Sequence, residues 1–81
     1  MKAKIYIRLK QGVLDPQGKA VLSGLKSLGF EGLEDVRVGK LIEIKLSPNI
    51  TPEKARQEVA EMCRKLLANT VIEDFSFDIE Q

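Results

Sequence analysis

Residues 2–10 alternate without interruption, Lys2, Lys4, Tyr6, Arg8 and Lys10 against Ala3, Ile5, Ile7 and Leu9. A period of two over this length sends successive side chains to opposite faces, which describes a half-buried strand and excludes an amphipathic helix. Gln11-Gly12 ends the run, and Asp15-Pro16 then opens a helix. Asp is a preferred N-cap, and Pro in the first helical position gives up only an amide that has no intrahelical partner. The same pair of signals recurs at Thr51-Pro52. Further alternating runs occupy 33–38, 41–46 and 71–80. The order that follows is β-α-β-β-α-β, and few architectures accept it.

The first helix presents Val21, Leu25 and Leu28 as its buried stripe, with Ala20 and Gly24 beside it. Gly29 stops it, and Phe30 can fold back as the apolar partner of a glycine C-cap. Gly18 and Gly24 each weaken a helix by about 1 kcal/mol relative to Ala, so their presence implies a close backbone approach, within the subunit or at an interface. Gly39-Lys40 separates the runs at 33–38 and 41–46 and has the length and composition of a hairpin turn, with Gly first favouring type II′. Ala55, Val59, Met62 and Leu66 form the stripe of the second helix, flanked by Cys63 and Leu67, and Asn69 terminates it. Glu61 and Lys65 form an i,i+4 pair on its wet side. The expected fold is α+β and ferredoxin-like: a four-stranded antiparallel sheet of order 4-1-3-2 with both helices on one face. The first and last strands are then neighbours, which sets Lys4 and Arg8 against Asp74 and Asp78.

Eighty-one residues make one domain, here residues 1–81, with little room for an enclosed site. A net charge of +1 makes no electrostatic case for nucleic acid or membrane. No histidine is present, so the commonest general base and metal ligand is missing. A single cysteine cannot form an internal disulfide, and no long apolar run suggests a signal peptide or a membrane span. A cytoplasmic protein without its own cofactor or metal is the expectation.

The helix-free sheet face carries Tyr6, Arg8, Leu41 and Glu43 among mixed charges. A two-fold axis can satisfy both signs, so this face is the candidate homo-oligomer contact. RNA binding fits poorly: Tyr6 could stack a base, but 41–45 offers no aromatic, and Glu43, Asp74 and Asp78 would repel phosphate. Cys63 beside an apolar stripe reads as a small buried hydrophobe without a base to activate it. The Gly12–Gly18 loop resembles a phosphate loop only superficially. Pro16 removes an amide, and Asp15 would occupy the others and repel an anion. Arg37, Gly39 and Lys40 form a basic cluster that could dock an acidic or phosphate-bearing partner.

Three segments carry a family resemblance: Leu9–Gly18, Val36–Lys40, and Met62–Asn69 running on to Val71-Ile72-Glu73. In order and spacing they resemble PurS, the small subunit of phosphoribosylformylglycinamidine (FGAM) synthase. Thr70 departs from the Pro expected after Asn69. The resemblance implies a bridging subunit in the fourth step of de novo purine synthesis, where formylglycinamide ribonucleotide, ATP and glutamine become FGAM, ADP, phosphate and glutamate. It implies a glutaminase partner (PurQ) that releases ammonia and a synthetase partner (PurL) that holds ATP and Mg. It also implies a homodimer or dimer of dimers, and no catalytic residue in this chain. Placed on the matching positions, the partner contacts are Asp15, Gln17 and Gly18 at the helix start and Arg37 and Lys40 at the expected hairpin. An ACT-like small-molecule sensor is the alternative with the same element order. An acylphosphatase-like enzyme would need an arginine in the loop after the first strand, and Gln11 to Gln17 contains none.

Overall fold

The computed structural model describes all of residues 1–81. The first alternating run forms β1 (Lys2–Leu9), with Ala3, Ile5 and Ile7 buried and Tyr6 and Arg8 exposed. Helix α1 spans Pro16–Ser27, strand β2 Lys40–Lys45, helix α2 Pro52–Met62 and strand β3 Glu73–Glu80. Between α2 and β3 the helix widens into a π turn over Cys63–Leu67.

The sheet has three strands in the order β2-β1-β3, both pairs antiparallel. Its register sets Ile5 opposite Ile42 and Phe77, and Ile7 opposite Phe75, so one face is apolar through its middle, with Lys40 and Glu73 at the end beside Ile7 and Leu9. On the other face Lys4 lies opposite Asp78 and Arg8 opposite Asp74, as the sequence implied. The Lys4 ammonium reaches diagonally to Glu80 (3.1 Å), and this hydrogen bond raises its pKa above the ordinary lysine value. Helix α2 lays Val59, and the π turn after it lays Cys63, on Ala3, Ile5 and Ile7 to make the core. Fully burying a side chain of this size stabilises by about 1.5–3 kcal/mol.

The four-stranded sheet of order 4-1-3-2 is not formed, and only one helix covers the sheet. Residues 33–39 belong to no strand. The backbone at 36–38 is held by side chains instead: the Val38 amide donates to Asp15 Oδ2 (2.7 Å), and Arg37 donates to the carbonyls of Lys10 (3.1 Å) and Leu9 (3.4 Å). Gly39-Lys40 does not make a hairpin. Lys40 already pairs with Ile7, and Gly39 passes so close to β1 that a Cβ would stand 2.7 Å from the Ile7 carbonyl oxygen.

Helix α1 does not lie on the sheet. It points away, so the molecule measures 50 × 26 × 15 Å. The stripe expected to be buried is largely bare: Val21 is 44% exposed, Leu28 76% and Phe30 57%. The helix ends as expected, with Gly29 at φ +95° and the Phe30 and Gly29 amides donating to Leu25 and Lys26, a Schellman closure. At the end of α2 the expected stripe also fails at one position. A π turn holds more residues than an α turn. The Ala68 amide closes it on Cys63 (2.9 Å), which turns Leu67 and Ala68 inward and leaves Leu66 83% exposed.

Candidate functional site

The residues singled out around the start of α1 converge on one junction. Asp15 caps the helix in extended backbone, with Oδ1 accepting from the Gly18 amide (2.9 Å). Its other oxygen takes the Val38 amide. The two backbone hydrogen bonds, from Gly18 first and then Val38, hold this carboxyl below the ordinary aspartate pKa, outweighing the opposing effect of burial. Gly18 is buried because the Val36 carbonyl oxygen occupies the space a Cβ would need. Asp15 and Gly18 therefore brace the junction from within. Gln17, Arg37 and Lys40 stand exposed around it, with Lys40 3.7 Å from Glu73.

Two shallow concavities flank this brace. One, of about 290 Å³, lies between Leu14, Lys19, Asp35 and Arg37. The other, of about 280 Å³, lies between Arg8, Gln17, Lys40 and Glu73. Both mix charges of opposite sign, and neither juxtaposes a nucleophile with a base. Glu73 was not legible as part of this junction. It also accepts from the Asn69 amide (2.7 Å), a turn that no spacing in the sequence announced.

On the helix-free face Tyr6 and Leu41 are direct cross-strand neighbours, 42% and 56% exposed. Arg8 is exposed one pair further along, and Glu43 is held 3.2 Å from Lys2. These four residues do share one surface, at the opposite side of the sheet from α2. Cys63 is fully buried, and desolvation pushes its thiol pKa up, away from reactivity. No group of three acidic, Cys or His side chains is placed to hold a metal ion. No helix is long and apolar enough to cross a membrane.

Known proteins supply the remaining constraint. The sequence profile described as PurS, phosphoribosylformylglycinamidine (FGAM) synthase, matches residues 2–81. The PurS subunit of phosphoribosylformylglycinamidine synthase from Bacillus subtilis is 46% identical over 84 residues, spanning 99% of this chain and 93% of its own. The crystal structure of Methanocaldococcus jannaschii PurS, one of the subunits of formylglycinamide ribonucleotide amidotransferase in the purine biosynthetic pathway, superposes with a TM-score of 0.86 at 44% identity, covering 99% of this chain and 95% of that one. A chain of PurLQS from Thermotoga maritima shares the fold, with a TM-score of 0.76 at 24% identity over 95% of this chain and 93% of its own. A match over nearly the full length leaves no support for an ACT-like sensor, and the chain belongs to the PurS family of FGAM synthase subunits.

Proposed function

We propose that this chain is the non-catalytic bridging subunit of an FGAM synthase, joining a PurQ-type glutaminase to a PurL-type synthetase. The observation that carries the reading is family membership over residues 2–81, with relatives named as the PurS subunit matching nearly the full length. Ammonia released at one active site is lost to protonation if it crosses bulk water. A subunit that fixes the two sites in register shortens that path through geometry alone. Binding energy from its surfaces, not proton transfer, is its contribution. ATP and Mg belong on the synthetase subunit, and the assembly works in the cytoplasm.

Two surfaces divide this work. The exposed groups around the Asp15 brace, Gln17, Arg37 and Lys40, face the hetero-partners, with Asp15 and Gly18 fixing their backbone from beneath. The open sheet face with Tyr6, Arg8, Leu41 and Glu43 makes a contact between copies, in a homodimer or a dimer of dimers. Exposed Tyr and Arg around an apolar centre are the residue types that dominate protein interfaces.

Co-purification tests the reading. The tagged chain is mixed with the glutaminase and synthetase subunits, with and without glutamine and ADP. Recovery of all three together under at least one condition is expected. Failure to retain either partner under every condition would refute it.

A further inference from the structure

Glu73 stands apart from the other acids in the ion pairs of this molecule. In the pairs of Lys2 with Glu43, Lys4 with Glu80, and Glu61 with Arg64 and Lys65, both partners are open to water. Such pairs form and break at little cost. In the pair with Lys40 the lysine side chain is 58% exposed but Glu73 only 15%. A withdrawn carboxylate needs a fixed donor of its own, and Glu73 has one. Its Oε1 accepts from the Asn69 amide (2.7 Å), which leaves Oε2 facing the Lys40 ammonium at 3.7 Å. The turn that supplies this donor is itself fastened. The Asn69 carbonyl accepts from the Ile72 and Glu73 amides (3.0 and 2.7 Å), and its Oδ1 accepts from the Val71 amide (3.2 Å). The Glu73 backbone is paired with Leu9, and the Lys10 amide donates to the Ile72 carbonyl (2.8 Å).

The Lys40 backbone is equally fixed. It pairs with Ile7, and Gly39 before it passes too close to the Ile7 carbonyl oxygen to admit a Cβ. What remains free is the ammonium on its flexible stem. Lys40 and Glu73 both line the concavity of about 280 Å³ that also holds Arg8 and Gln17. We propose that Glu73 is a positioning residue of the hetero-partner surface: anchored from behind by Asn69, it holds the Lys40 ammonium in the conformation that meets the partner. The inference rests on the reading above in which Lys40 faces the hetero-partners. A lysine ordered before association loses less side-chain freedom when it docks. The carboxylate also supplies the counter-charge that the ammonium needs once a partner excludes water. The turn after α2 thereby sets a surface group at the start of β2.

The test titrates the full chain into the glutaminase and synthetase subunits. It reads the concentration that gives half-maximal glutamine-dependent FGAM formation, together with Tm. Glu73→Gln keeps an oxygen for the Asn69 amide and loses the charge that holds Lys40. It should raise the half-maximal concentration roughly fivefold, the scale of one ion pair at a partly wet site, with Tm unaltered. Lys40→Gln should raise it at least as far, and adding Glu73→Gln to Lys40→Gln should raise it no further. Three results overturn the positioning role and leave the surface reading standing: a wild-type value for Glu73→Gln, a rise that accompanies a fall in Tm, or a rise that persists in the Lys40→Gln background. A wild-type value for Lys40→Gln removes Lys40 from the surface and overturns both. If Glu73→Gln does not fold, carbon-13 relaxation of the lysine ε-methylenes in the wild-type chain decides. Lys40 should be more ordered than the exposed Lys26, and equal mobility overturns the proposal.

Discussion

Gly18→Ala should destabilise this protein, although the same change in an unobstructed helix stabilises it. In such a helix, alanine gains about 1 kcal/mol over glycine. Here the new methyl would overlap the Val36 carbonyl oxygen and lie 2.9 Å from Asp15 Oδ2 and 3.0 Å from the Val36 carbonyl carbon. Backbone atoms yield poorly, and forcing a methyl into a filled site costs up to about 3 kcal/mol. The balance is a loss of about 2 kcal/mol, or a fall in Tm of roughly 8–16 °C for a domain this small. The Val38 amide should also lose protection from hydrogen exchange, because the segment can relieve the overlap only by withdrawing from Asp15. Thermal melting by circular dichroism, with exchange at Val38, reads both effects. A variant melting at or above the wild-type temperature would show that α1 and residues 36–38 do not pack as described.

Acid should open the same junction. The folded pKa of Asp15 lies below its unfolded value, so its stabilisation is complete above the unfolded pKa and disappears as pH falls through the folded one. Asp15→Asn should therefore lower stability at neutral pH and flatten the acid limb of the stability curve, which denaturation at a series of pH values measures. Ile5→Ala, at a fully buried position, should cost about 2–5 kcal/mol. In the isolated chain Leu66→Ala should change stability by no more than about 0.5 kcal/mol, because the π turn puts Leu66 in solvent. The pair of urea curves tests that turn. Cys63 should react with a thiol reagent only after unfolding, and rapid modification of the native chain would contradict its burial. Gln17→Glu combined with Lys40→Gln should leave the melting temperature unchanged and lower glutamine-dependent activity of the reconstituted complex at least several-fold. Unaltered activity would remove these two residues from the hetero-partner surface.

Much of this architecture was legible from local chemistry. Alternation located β1, β2 and β3, and the two cap-plus-Pro pairs located both helix starts, because a strand face and a helix cap are each written in a few consecutive residues. The pairing of β1 with the last strand followed from crossover rules, and the charges at Lys4, Arg8, Asp74 and Asp78 agreed with it. The segment at 33–38 misled for a physical reason. Val36 and Val38 alternate as a strand does, but alternation reports only which way side chains point; here Asp15 takes the Val38 amide that a neighbouring strand would have paired, and the Arg37 side chain ties the segment to the carbonyls of Leu9 and Lys10. Helix α1 misled similarly. An apolar stripe states that something will cover it, without stating whether that cover comes from the same chain. At the candidate site, Gly18 was identified as a place of close approach, and the structure supplies its partner, Val36. The inward role of Asp15 was less evident, because a cap signal shows only one of its two oxygens in use. Leu66 failed through the π turn, whose single extra residue leaves no mark on the apolar spacing.

Reconstituted synthesis with and without this chain tests the bridging role most directly. Glutaminase and synthetase subunits are assayed for FGAM formation, once with glutamine and once with ammonium as nitrogen source. Omitting this chain should abolish the glutamine-dependent rate and leave the ammonium-dependent rate of the synthetase intact. Equal glutamine-dependent rates in its presence and absence would contradict the account.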